Sequence, residues 1–180
     1  MKHIQIVFFI LLSGTLFSQS YLGTITKQVN FRMGPGSEYE IINSLKIGTQ
    51  VFISSLETEN DFYNIIDIKT DNEGYVHKSF VKIGKLVTES DGGFIAASGE
   101  SNGYESEVNI YNNTNIILTL KLNSDIYKFA PNEKKNIVLN PGDYSFRASA
   151  PGVIPNIGVK NFKINQAYKW QFYIVTKKYN

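Results

Sequence analysis

The 180-residue chain contains no cysteine. That excludes a disulfide framework, a thiol nucleophile and a lipid-modified N-terminal cysteine. Histidine is almost as scarce, with His77 the only one beyond the N-terminal leader. A zinc site needs three or four His, Cys or acidic ligands, and none cluster in the sequence. No apolar run reaches the roughly 20 residues that span a bilayer. No helical period persists beyond a turn or two, although residues 38–45 can be read as helix or strand.

Hydrophobic residues make up 42% of the chain and charged residues 19%, a balance that predicts folding. Met1-Lys2-His3 is a short basic start, and residues 4–12 are apolar apart from Gln5. Ser18-Gln19-Ser20 then supplies small residues at cleavage spacing. Residues 1–20 read as a secretory signal peptide cut after Ser18 or Ser20, and an uncleaved anchor is the alternative. The expectation is an exported protein, periplasmic, on the cell surface or secreted. It is not a lipoprotein and does not span the membrane after cleavage.

Charge is unevenly spread. Residues 21–83 hold six Lys/Arg and eight Asp/Glu, residues 84–107 one Lys and five acids, and residues 108–180 ten Lys/Arg and three acids. Residues 84–106 are rich in Gly, Ser and acids without a sustained period, and predict a flexible linker between two β segments. In the first segment, strand signals fall at 22–31, 49–56, 62–68 and 75–76. Gly34-Pro35-Gly36 breaks the chain, and Asp71-Asn72-Glu73-Gly74 reads as a turn with Gly74 at positive φ. Short strands and tight turns in about 60 residues predict a small barrel. In the second segment, 107–180, about seven short strands predict an antiparallel β-sandwich of immunoglobulin-like size. Asn112-Asn113 reads as a hairpin signal. Asn140-Pro141-Gly142-Asp143 reads as a type II turn joining 136–139 to 144–149.

The run Val29-Asn30-Phe31-Arg32-Met33-Gly34-Pro35-Gly36-Ser37-Glu38-Tyr39 resembles the opening signature of bacterial SH3 (SH3b) domains. Ser44-Leu45-Lys46-Ile47-Gly48-Thr49, Phe62-Tyr63-Asn64-Ile65, Gly74-Tyr75-Val76 and Ser79-Phe80-Val81 resemble later steps of the same family, in order. The resemblance covers about a third of the chain and implies an SH3-like barrel at 21–83. The family often has tryptophan where Phe62 and Tyr75 stand, which weakens any inference of a tryptophan-lined groove. Its members accompany cell-wall enzymes or exported proteins, and some bind peptidoglycan peptides. Leu139-Asn140-Pro141-Gly142-Asp143-Tyr144, followed by Ala150-Pro151-Gly152, resembles the PEGA-type sandwich repeats of exported bacterial proteins. That likeness implies a fold and no activity.

Alternation over 62–67 places Tyr63 and Ile65 on one face and Phe62 and Asn64 on the other, so one aromatic should face outward. With Tyr39, Tyr75 and Phe80 it could line a shallow groove, because rigid rings bind extended peptides with few frozen torsions. The alternative is that all these rings fill the barrel. Arg32 could pair with a ligand carboxylate or brace the adjacent loop through backbone carbonyls. The candidate ligand-binding set is therefore Arg32, Tyr39, Phe62, Tyr63, Tyr75 and Phe80. His77 reads as a polar surface residue. Trp170 lies on the larger apolar stripe of the last strand and reads as core, with outward sugar stacking as the rival. Asp125, Glu133 and Asp143 form no facing pair of the kind a glycosidase needs.

The reading is a non-catalytic binding or adaptor protein, with no cofactor and no metal. Its expected partner is a peptide, a peptidoglycan fragment or another envelope protein. The lysines of the second segment could meet an anionic glycan or lipid head group. No nucleic-acid reading motif is present. The alternatives are a structural subunit of an envelope complex and an accessory or cryptic glycan hydrolase.

Overall fold

A computed structural model describes residues 19–90 and 93–174. Most of the expected signal peptide, and Lys177 and Lys178, lie outside the described residues. The chain is all-β: among the described residues there are fifteen strands, one 3₁₀ turn and no α-helix.

The first unit contains β1 (Ser20–Ile25), β2 (Val29–Arg32), β3 (Ile41–Leu45), β4 (Gln50–Ile53), β5 (Phe62–Asp67), β6 (Asn72–His77), a 3₁₀ turn (Lys78–Phe80) and β7 (Val81–Val87). The ambiguous 38–45 stretch thus ends in a strand. The seven strands form one sheet in the order β3-β2-β6-β5-β4-β1-β7. Here the expectation of a barrel needs correction, because β3 and β7 remain unpaired edges and the sheet does not close. Ile25, Phe31, Leu45, Val51, Ile53, Tyr63, Ile65 and Val76 still meet in a single core on one side of it.

Gly74 also departs from expectation. The left-handed residue of the β5–β6 turn is Asp71, at φ 59°. Gly74 lies inside β6 opposite Ile65. A Cβ there would sit 2.5 Å from the Arg32 carbonyl oxygen and 2.7 Å from the Phe31 ring. Close packing, and not a turn, excludes a side chain at this position.

The second unit contains β8 (Phe94–Gly99), β9 (Ser106–Asn112), β10 (Leu118–Leu122), β11 (Asp125–Phe129), β12 (Lys134–Leu139), β13 (Gly142–Ala150), β14 (Val153–Phe162) and β15 (Ala167–Phe172). Two four-stranded sheets, β11-β10-β13-β14 and β12-β9-β15-β8, face each other as a sandwich. Trp170, fully buried, packs edge-on against Phe146 with ring centroids 5.3 Å apart. The sandwich is not wholly antiparallel, since β15 runs parallel to β9. The hairpin expected at Asn112-Asn113 does not form, and the strands joined at 140–143 lie in different sheets. The chain changes sheets both after β9 and after β12. Gly142 sits at φ 148°, well away from the +80° of a type II turn. Asn112 is buried at the first of these crossings, its Nδ2 donating to the carbonyls of Ile116 (2.8 Å) and Ala130 (2.9 Å).

The expected linker is largely structured. β7 extends to Val87, and β8 pairs antiparallel with β15, placing Ile95 opposite Trp170. Ser101 is buried and donates to the Glu105 carbonyl at 2.5 Å.

The two units pack together. Strand alternation turns Val51, Ile53 and Ile65 to the first core, and Phe52, Ile66 and Ile68 to the opposite side of the sheet. Ile157 of β14 covers that second patch together with Leu22 and Val87. Around it, Gly152 N donates to the Ile68 carbonyl (2.7 Å), Ser90 N to the Ile157 carbonyl (2.9 Å), and Thr119 Oγ1 to Asp71 Oδ2 (2.8 Å). Arg147 Nη2 meets Glu73 Oε2 at 2.6 Å, and Lys121 Nζ lies 3.9 Å from the other carboxylate oxygen.

Candidate functional site

A cleft of about 740 Å³ opens on the first unit. One wall comes from β2 and its approach, through Gln28, Val29, Asn30 and Arg32. The other comes from Phe62, His77, Ser79 and Phe80. Ser37 and Ser44 complete the rim.

The sheet register explains why a cleft forms here. β2 pairs with β3 at Val29, Asn30, Phe31 and Arg32, but with β6 only at Arg32, opposite Tyr75. Past His77 the chain leaves strand geometry for the 3₁₀ turn. The His77 ring caps that turn, Nδ1 accepting from Ser79 N–H at 3.3 Å and lying 2.8 Å from Ser79 Oγ. An Nδ1 that accepts from a backbone N–H places the ring proton of neutral His77 on Nε2.

A bulge between Phe31 and Arg32 re-aims the arginine. One guanidinium nitrogen donates to the Tyr39 carbonyl at 2.7 Å, bracing the Gly-Pro-Gly loop. A guanidinium has five N–H donors, so this bond leaves capacity for a ligand. The Tyr39 ring lies over Gly34 so closely that a Cβ there would collide with it. Asn60 Nδ2 ties the same loop down through the Pro35 carbonyl at 3.2 Å. On the opposite wall, Phe62, His77 and Phe80 stand in an edge-to-face row, with centroids 5.3 and 6.0 Å apart. Lys78 Nζ and Asp61 Oδ1 meet at 2.7 Å and fasten the 3₁₀ turn to the start of β5. The hydrogen bond and charge of Lys78 hold the Asp61 carboxyl below its ordinary range.

Of the six candidate residues, Arg32, Phe62 and Phe80 line this cleft. Tyr63 must be withdrawn as an accessible candidate, because it is buried in the first core beside Ile65. Phe62 is the partly exposed ring that alternation required. Tyr39 and Tyr75 lie outside the lining and act on it indirectly, Tyr39 by orienting Arg32 and Tyr75 as its ladder partner. His77, read as an ordinary surface residue, is central to the cleft. The signal missed was its position at the end of a strand two residues before a serine, where an imidazole can cap a turn.

In the second unit, Glu133 accepts from Ala130 N–H at 2.6 Å and pairs with Lys135. The Asp143 carboxylate accepts from Asn161 at 2.7 Å. Both acids serve local structure. Among its described lysines, Lys134 lies over the Tyr111 ring, Lys135 over the Phe129 ring and Lys121 at the junction between units. Among the described residues no three potential metal ligands gather, and no helix is long and apolar enough to cross a membrane. No family model, curated protein or solved structure matches the chain.

Proposed function

We propose that the protein is an exported, non-catalytic binding module of the cell envelope, and that the β2–β6 cleft recognises a peptide or a peptidoglycan fragment. The carrying observation is a row of three edge-to-face rings that lines one open cleft together with Arg32. Rings supply contact area with few torsions to freeze, and the guanidinium supplies a directional partner for a carboxylate. The ordered likeness of residues 29–81 to bacterial SH3 domains supports the same reading, since such modules accompany wall-directed and exported proteins. The sandwich serves as a support, covering the back of the sheet whose front carries the cleft.

The test is retention on either of two matrices, purified peptidoglycan sacculi or immobilised short peptides with free C-termini, comparing the wild type with Phe62→Ala and Arg32→Gln. The wild type should be retained, and each variant should lose about fivefold or more in affinity, as expected for an aromatic or arginine anchor. Equal retention of all three proteins, or no retention of any, would count against the proposal.

A further inference from the structure

We infer that the cleft captures the C-terminal end of an all-L peptide, laid as a short strand along the open edge of β2. This rests on the binding reading above and specifies its ligand. Continuing the register from Arg32–Tyr75 would set Asn30 opposite His77 and Gln28 opposite Ser79. All four of those residues line the cleft. The missing rungs therefore mark the place where the cleft opens.

The backbone that could have supplied those rungs is engaged elsewhere. Lys78 N–H donates to the Asp61 carbonyl at 2.8 Å, and Ser79 N–H donates to the His77 ring. The Phe80 carbonyl accepts from Thr26 N–H at 2.9 Å. The stretch 28–31, Gln28 and the first three residues of β2, consequently pairs with no strand on this side. Main-chain groups exposed in a groove form a ready template for strand addition, with the backbone giving affinity and the flanking pocket giving selectivity.

The gap is closed at one end by Arg32–Tyr75 and at the other by Thr26–Phe80. The five residues between, 27–31, span about 17 Å at roughly 3.3 Å per residue. That length suits the end of a chain better than a passing segment. Arg32 stands at the first of these ends and is the one permanently charged side chain among the described residues lining the cleft. A terminal carboxylate there would form a charge-assisted, bidentate contact. Strand pairing also sets the chirality: side chains of an L-peptide alternate between the rings and solvent, and a D residue would reverse that order. Wall stem peptides of alternating chirality fit this geometry poorly, so the occupant is the C-terminus of a protein partner.

The test is a titration of the ¹⁵N-labelled protein, residues 19–180, with four probes. These are N-acetyl-Ala-Val-Ala with a free carboxylate, its C-terminal amide, its D-Val isomer and a soluble disaccharide-tetrapeptide from peptidoglycan. The free acid should move the amide resonances of Asn30, Arg32 and His77, with the amide and the D isomer about tenfold weaker. Arg32→Gln should abolish the preference for acid over amide while leaving resonances outside the cleft in place. Equal titration by acid and amide would overturn the inference. Binding of the wall fragment without any tripeptide would also overturn it, yet leave the binding-module reading standing. No shift with any probe would overturn both.

Discussion

Glu73 and Arg147 are 74 residues apart in the chain, and their side chains meet at 2.6 Å across the junction of the two units. Arg147 is only 11% exposed at its side chain, so this pair is far less screened than a surface salt bridge. Removing one partner strands the other in a poorly solvated place. Arg147→Ala should cost about 2–3 kcal/mol, below the range for fully buried pairs because Glu73 keeps some solvent contact. Glu73→Gln retains an acceptor and should cost less. Urea unfolding of the two variants provides the comparison.

The same pair predicts an acid response. Burial works to raise the Glu73 carboxyl pKa, but the Arg147 hydrogen bond and charge, with Lys121 and Asn64, outweigh it and hold the group below its ordinary 4.5. A depressed folded-state value means that the stabilisation is fully present above the unfolded value and is lost as pH falls through the folded one. Thermal midpoints should therefore be insensitive to Glu73 above about pH 5 and fall more steeply below it in the wild type than in Glu73→Gln. Identical acid limbs would refute the assignment.

Gly74→Ala should destabilise the first unit severely. The new methyl would lie against the buried Phe31 ring, the end of the Ile42 side chain and the Arg32 carbonyl oxygen, and this last is main chain that cannot yield without opening the ladder. A loss of about 3 kcal/mol or more is expected, in line with overpacking of a close-packed core. Loss of cleft binding should accompany it, because Arg32 and Tyr75 are held by the same contact.

Much of the strand pattern was legible because it rests on local rules. The alternation of Tyr168, Trp170 and Phe172 placed Trp170 in the core, and that of Phe62 and Tyr63 required one outward ring. What was not legible depended on pairing between distant segments. β8 reads Phe-Ile-Ala-Ala-Ser-Gly, with only Ile95 packing on the core, so its strand character comes from the β15 edge beside it. The second face of β4 and β5, with Phe52 and Ile66, is covered by Ile157 from the other unit, a contact that no local pattern marks. The cleft itself is an interruption in a ladder, and the sequence carries no mark of a rung that fails to form.

Replacing residues 94–99 with a Gly/Ser stretch of equal length therefore tests whether β8 is structural. Trp170, the only tryptophan, should shift its emission to longer wavelength as one flank of its strand opens to water, and the unfolding midpoint should fall. A flexible tether would tolerate the exchange with neither change.

Ser20 bears on where the proposed signal-peptide cleavage would fall. It opens β1, is buried, and its Oγ donates to the Ser54 carbonyl at 3.1 Å. Cleavage after Ser18 preserves this contact, whereas cleavage after Ser20 removes it. Under the proposed export, the intact mass of the processed form should begin at Gln19, and a chain beginning at Tyr21 should be less stable by about 1 kcal/mol.

The most direct test of the central claim is an amide chemical-shift map of the whole protein during titration with short peptides and soluble wall fragments. The account predicts perturbations confined to residues 28–32, Phe62 and 77–80, with the ligand recovered chemically unchanged. Saturable shifts centred on the sandwich, or cleavage of the ligand during the titration, would contradict it.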